Sequence, residues 1–305
     1  MDKETLSNYG WIVICILVMV VMIALATPFG DFIASAIKST SQGLFDTSQN
    51  ALDSLGNLTK SPEWLARNHG DVIPDGGEYV ISTTGQALRG GDKFPAYAEN
   101  DDVYTYGHYR YMFDAEHNGW SARVIDTSLD MYDAVLLTIN KKPITVMDGT
   151  FMGCTALVSA PEIPETVVSI VNVFRDCALI TAAPALPDGI TNMDGAFYGC
   201  SINDAGLPVI GENVRSMNYA FYGCEFIVAP AIPEGVVDLE QTFAYCTKLT
   251  TAPVIPTTAF NMNGTFEGCN SLTGTVRVPC SALINSTTIP SQCILETFHT
   301  DACYE

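Results

Sequence analysis

Cysteine and histidine are the residues of this 305-residue chain most able to do chemistry, and it has ten of the first and four of the second. A thiolate can attack, oxidise or ligate a metal, and spacing decides which. Six cysteines, Cys154, Cys177, Cys200, Cys224, Cys246 and Cys269, recur at intervals of 22 to 24 residues. That interval fits neither the close pairs of a zinc site nor a Cys-x-x-Cys redox motif. It fits stacked coils, whose neighbours lie about 5 Å apart with parallel side chains, so these thiols are expected to be reduced and buried. Cys280, Cys293 and Cys303 break the interval and are the disulfide candidates. Cys293 with Cys303, and Cys280 with Cys303, are both open, and so is a bond from the odd cysteine to Cys269. Cys15 stands in an apolar run and reads as packing.

The other polar clusters carry less. His108, Asp114, Glu116 and His117 stand close together, but their spacing fits no zinc pattern and they read as hairpin surface. Asp101 and Asp102 read as a solvated pair in a polar turn. Trp120 and the aromatic run beside it could stack on sugar rings, though core packing is the stronger reading. No Gly-x-Ser-x-Gly, His-Glu-x-x-His or phosphate-binding loop occurs. No catalytic residue, metal or cofactor is expected, and an enzyme is not the reading. Net charge is −20, from 34 acidic against 14 basic residues. Such a surface repels nucleic-acid phosphate and anionic lipid.

The cysteine interval belongs to a longer repeat. The anchors are "FMGC" at 151, "FRDC" at 174, "FYGC" at 197 and 221, "FAYC" at 243 and "FEGC" at 266. Between them recur phrases such as "LVSAPEIPETVVSI" and "LITAAPALPDGITNM". One such unit cannot bury its own apolar face, so it must stack on the next. Phe151, Phe174, Phe197, Phe221, Phe243 and Phe266 are then expected to form one core column, with the six cysteines forming another. Proline has no N–H to give a ladder, so Pro161, Pro164, Pro184 and Pro187 belong at the bend beyond the short strand. Gly199 and Gly223 are expected in a tight, positive-φ corner. These turns closely resemble the BspA-like leucine-rich repeats of bacterial surface proteins, over about residues 150–283. The resemblance implies an extracellular solenoid used in adhesion, and it brings no catalytic residues.

Residues 5–30 form an uncharged stretch of 26 residues. As a helix it would be about 39 Å long, enough to cross a bilayer, with Tyr9 and Trp11 at the interface. After Pro28, a helix-kinking residue, Phe32, Ile33, Ala36, Ile37, Leu44, Phe45, Leu52 and Leu55 continue an amphipathic pattern. A cleaved signal, a plain membrane anchor and a filament-forming helix all compete for this segment. The apolar stripe beyond Pro28 favours the last, since an anchor has no use for it. "SNYGWIVICILVMVVMIALATPFGDFIASAIKSTSQGLF" resembles the N-terminal helix of type IV pilins, nearest the short Flp pilins of Tad systems. Tyr9, Gly10 and Gly30 match that pattern, while Asn8 stands where the family has Glu. The resemblance implies assembly through Glu4, Tyr9, Gly10, Pro28 and Gly30. Glu4 or Asp2 would then pair with Lys3 or the terminal amine of a neighbouring copy.

The expected fold is thus a long N-terminal α-helix over 1–58, a linker over 59–77 and a small mostly-β subdomain over 78–147. About six leucine-rich-repeat turns follow over 148–279, then a C-terminal cap over 280–305. The expected function is that of a bacterial surface protein, a pilin-like subunit displaying an adhesive repeat domain on an extracellular filament. The alternative is a monomeric single-pass adhesin or receptor without filament assembly. Expected partners are copies of itself, the membrane before assembly, and an unidentified extracellular protein or glycan, with no nucleic acid.

Overall fold

A computed structural model describes residues 67–299, which lie in one compact unit beginning at Arg67. The expected fold class needs correction. The described residues hold no α-helix, and their only helical element is a 3₁₀ turn at Asp204–Gly206. No helix among them is long and apolar enough to cross a membrane. They are built from strands and turns. The helix expected over 1–58, and with it Glu4, Tyr9, Gly10, Pro28 and Gly30, lies outside the described residues.

The first part is an eight-stranded mixed sheet. Its strands are β1 (Asn68–His69), β2 (Glu78–Val80), β3 (Ala87–Arg89), β4 (Val103–Tyr106), β5 (Tyr109–Asp114), β6 (Gly119–Val124), β7 (Thr138–Ile139) and β8 (Lys142–Val146). Their order is β1-β7-β8-β6-β5-β4-β2-β3. The stretch read as a linker over 59–77 enters this sheet at Asn68, where β1 pairs with β7. The single strand read in "YTYGHYRY" is two strands, since Gly107 takes φ +56° and turns β4 back onto β5. Buried aromatic residues still alternate along β5 with the outward Arg110, Met112 and Asp114, as a half-buried strand requires.

The aromatic residues of the sheet are core. Trp120 is fully buried and donates its indole N–H to the Ile139 carbonyl at 3.0 Å. Tyr79 and Phe113 pack edge-on against it, with centroids at 5.9 and 5.2 Å. Trp120 therefore offers no face to a sugar. Asp102, expected in solvent, is fully buried as well. Its carboxylate accepts from the Tyr79 hydroxyl, from Ser82 N at 2.7 Å and from Glu99 N at 2.9 Å. The turn is polar, but three donors converge on it and take Asp102 out of water.

Burial holds the phenols of Tyr79, Tyr104, Tyr109 and Tyr111 well above their ordinary pKa. A folded pKa raised above the unfolded value stabilises in full below about pH 10 and is lost as pH rises toward the folded value. Unfolding in urea should therefore become easier above pH 10, by up to about 1.4 kcal/mol per pH unit for each phenol. These four rings should show tyrosinate absorbance only as the fold is lost. An early, reversible rise with full native amplitude would contradict this.

The coils continue from β8 without a break. Single parallel bridges run Val146–Ser169–Asn192–Ser216–Asp238–Asn261–Leu283, one per coil. The core is equally continuous, from Ile73 in the sheet to Val278 beyond the last coil. Tyr109 and Tyr132 cover Phe151 at 6.1 and 5.4 Å, so the sheet closes the start of the solenoid. A solenoid end needs such a cover. At the other end, β9 (Gly274–Pro279) pairs in parallel with β10 (Cys293–Phe298).

Each anchor is a string of tight turns. In the first coil Thr150 N, Met152 N and Cys154 N donate three residues back, to Met147 O, Gly149 O and Phe151 O. The alternate N–H groups of Met147, Gly149, Phe151 and Gly153 donate onward to Ser169 O, Val171 O, Val173 O and Arg175 O of the next coil. These seven backbone donors of the corner are used in one direction or the other, as a buried segment demands.

Candidate interaction surface

The corner geometry forces two columns of left-handed residues. The first contains Gly149, Asn172, Gly195, Tyr219, Gln241 and Gly264, and the second contains Gly153, Asp176, Gly199, Gly223, Tyr245 and Gly268. All twelve have φ between +49° and +77°. Glycine fills these slots without strain, and Asn or Asp with little. Tyr219 at +57° and Tyr245 at +59° are different, because a bulky side chain is disfavoured there.

Inside the corner, the phenylalanines stack face to face through the whole array. Centroid separations are 5.3 Å for Phe151–Phe174, 5.7 Å for Phe174–Phe197 and 5.6 Å for Phe197–Phe221. They are 5.9 Å for Phe221–Phe243 and 5.8 Å for Phe243–Phe266. All six cysteines beside them are buried free thiols. Five of them, all but Cys154, donate to a phenylalanine carbonyl of the preceding coil: Cys177 to Phe151 O at 3.0 Å, Cys200 to Phe174 O at 3.0 Å and Cys224 to Phe197 O at 3.4 Å. Cys246 and Cys269 do the same to Phe221 O and Phe243 O at 3.1 and 3.0 Å. The Phe151 carbonyl thus accepts from both Cys154 N and Cys177 Sγ, which uses both of its lone pairs. Sequence reasoning gave the thiol a packing role and missed this donor role. Burial pushes the Cys200 and Cys269 thiols up to about 12, so these columns are inert. Cys154 lies under the covering sheet. The neighbouring Cys177 thiol, and then Tyr132, whose Oη stands 3.2 Å from its sulfur, hold its pKa below the ordinary thiol value.

Cys280 is disulfide-bonded, whereas Cys293 is a free thiol, donating to Leu272 O at 3.3 Å. A Cys293–Cys303 bridge is therefore excluded, as is a bond to Cys269. Cys303 lies outside the described residues. The histidines form two separate pairs, His117 with Asp114 at 2.6 Å and His108 with Asp133 at 3.2 Å. No group of three or more metal-ligating side chains that could hold an ion occurs among the described residues.

Outside the corner, Arg175, Tyr198 and Tyr222, each the residue after its phenylalanine, build a second stack that Tyr245 extends. Arg175 sets its guanidinium 4.1 Å above the Tyr198 ring, in cation–π contact. Tyr198 stacks on Tyr222 at 4.3 Å and 9°. Tyr222 meets Tyr245 at 5.1 Å and Tyr219 at 6.5 Å. Tyr245 is 45% exposed, and its ring lies over Gly268, where an added Cβ would come within 2.7 Å of it. The Tyr219 hydroxyl donates to Glu240 Oε1 at 3.2 Å, and that of Tyr245 to Glu267 Oε1 at 3.3 Å. Glu240 also accepts from Asn261 Nδ2 at 3.1 Å. Neither glutamate makes an ion pair among the described residues. Burial pushes Tyr222 up to about 12, and Glu267 raises Tyr245.

The two unusual tyrosines thus belong to one surface patch. Strained residues gather at functional sites more often than elsewhere. Replacing Tyr219 with Gly should raise stability by about 0.5–1 kcal/mol, because the left-handed strain relieved exceeds what the half-buried ring contributes. Thermal melting of the variant checks this, and a fall in melting temperature would mean that the ring supports the fold instead. The signal was present in the sequence. "MNYA" aligns with "MDGT", "MDGA" and "MNGT", and "FAYC" with "FYGC", so each tyrosine occupies a glycine slot.

The stacked coils, single continuous core and phenylalanine column define a leucine-rich-repeat solenoid with a sheet closing its first end. Residues 144–273 match, in six copies, the family described as "BspA type Leucine rich repeat region". The search of curated proteins finds no match. Among solved structures, a leucine-rich repeat protein from Bacteroides ovatus is similar at 25% identity and a TM-score of 0.45. That match covers 58% of this chain and 50% of the other, so this chain spans about half the length of that relative. The leucine rich repeat protein of T. pallidum matches at 20% identity and a TM-score of 0.43, over 54% of this chain and 78% of that one.

Proposed function

We propose that the chain is a bacterial cell-surface protein whose repeat domain binds other macromolecules, as an adhesive module and not as an enzyme. The observation that carries this reading is the outward tyrosine column on a rigid solenoid, with Tyr219 and Tyr245 in slots where glycine would be easier. Tyrosine offers large contact area with few rotamers to freeze, which suits it to the centre of an interface. The six-copy match to the BspA type region supports surface placement. The test is attachment of the immobilised full-length chain to intact cells and to extracellular-matrix proteins. Saturable binding, weakened by substitution within the tyrosine column, is expected. No binding to any cell or matrix surface would overturn the reading.

The finer reading places this domain on a filament of pilin-like subunits. Its support is the residue pattern of 1–58 alone. Electron microscopy of material sheared from expressing cells tests it, with a chain lacking residues 1–66 as control. Filaments lost in the control would support it. A membrane-held protein without filaments would favour the single-pass adhesin instead.

A further inference from the structure

We infer that the patch formed by Tyr219, Tyr222, Tyr245, Glu240 and Glu267 binds a basic protein segment by taking up an arginine or lysine side chain. This rests on the reading of the repeat domain as a binding surface and names the chemistry of its partner. Three independent observations meet at the patch. The first is conformational, since two of its tyrosines hold left-handed backbone that glycine holds in most other coils. Their side chains are therefore kept where the fold alone would not ask for them.

The second observation is charge. Glu240 and Glu267 stand at the tyrosine hydroxyls, 3.2 and 3.3 Å away, without a cation of their own among the described residues. The nearby Lys248 is engaged elsewhere, with Glu225 at 2.7 Å. On a chain of net charge −20, these two carboxylates favour a positive visitor. The third is a pairing within the molecule. At the other end of the same stack, Arg175 already lies over Tyr198 at 4.1 Å. The column accepts a guanidinium at its Arg175 end and presents tyrosine with carboxylate at its Tyr245 end. A partner's arginine at Tyr245 would repeat the contact already made at Tyr198. Aromatic face and carboxylate together recognise a cation better than either alone, because the ring contact is less screened by salt than an exposed ion pair.

The test uses the full-length chain and a synthetic peptide of alternating arginine and glycine, with affinity measured by calorimetry at physiological salt. A Tyr219→Gly/Tyr245→Gly double variant leaves the net charge unchanged and installs the residue used at those slots in other coils. Its melting temperature reports that the fold persists. We expect it to weaken peptide binding about tenfold or more. Glu240→Gln/Glu267→Gln should do likewise. A control double, Glu165→Gln/Glu212→Gln, removes two charges from exposed sites elsewhere and should change affinity less than about twofold. Equal losses in the two glutamate doubles, or unchanged affinity in the tyrosine double, would overturn the inference in favour of diffuse attraction. Tyrosine-dependent binding of a neutral oligosaccharide with no peptide binding would also overturn it. Cell and matrix attachment, run on the same proteins, separates the two readings. If the unaltered chain binds peptide but no surface, the adhesive reading fails while the cation site stands.

Discussion

Phe221→Ala should destabilise the repeat domain by about 3–5 kcal/mol, the range for deleting a large ring from a closed core. The Phe221 ring is fully buried and has three aromatic neighbours, Phe197 at 5.6 Å, Phe243 at 5.9 Å and Phe226 at 5.9 Å. Collapse into the void is hindered on both sides, because Phe197 and Phe243 are themselves held by Phe174 and Phe266. Phe266 has a single phenylalanine neighbour in the stack, so Phe266→Ala should cost less. Urea unfolding of both variants makes the comparison. A mid-array void also separates the coils on either side of it. Nearest-neighbour coupling is what makes stacked repeats melt together, so the Phe221→Ala transition should broaden as well as shift. A loss under about 1 kcal/mol would mean that the column repacks.

Asp102→Ala should be nearly as damaging, by about 3 kcal/mol, for a different reason. The carboxylate satisfies a buried tyrosine hydroxyl and two backbone N–H groups at once. Its removal leaves three donors without acceptors, and an orphaned buried donor loses its hydration with nothing in return. Asp102→Asn keeps one acceptor oxygen and turns the other position into a donor, so it should fall between the wild type and Ala. Tyr79 lies 5.9 Å from Trp120, so the loss should appear in the tryptophan emission as well as in the unfolding midpoint. Unchanged emission and midpoint in Asp102→Ala would show that water takes over the carboxylate's role.

These two residues also mark what the sequence could and could not reveal. Phe221 was legible because its environment is made by copies of itself. A fixed interval with one residue type at each step carries its own three-dimensional context. Asp102 was not legible, since its three donors come from Tyr79, Ser82 and Glu99, and nothing local announces that they converge. The sheet suffered the same loss. β6 pairs with β8 and β1 with β7 across long gaps in sequence, so the eight strands could be anticipated singly but not as one cover for the coils. The expected linker failed at Asn68 because proline and glycine flank a strand as readily as they flank a loop. At the surface, the tyrosine column was readable in part, as the letter after the phenylalanine in the two "FYGC" anchors. Tyr219 and Tyr245 required the coils to be aligned slot by slot, with glycine recognised as a statement about backbone. The glutamates that receive their hydroxyls sit one coil further on, a relation visible only after stacking.

The bridge column from Val146 to Leu283 has a consequence for how such a chain can change over generations. Every interior coil offers its neighbours the same edge above and below. A gene segment of about 23 codons could be duplicated or lost between the two covers without altering either. The surface would then lengthen or shorten in whole steps of about 5 Å, the spacing of adjacent strands. Changes of one or two residues are absorbed between the anchors, since coils of 22, 23 and 24 residues already keep the phenylalanine column in line. Tyrosines gained in this way would fall on the existing column, so the reach of the patch is set by copy number while its chemistry is set by single letters.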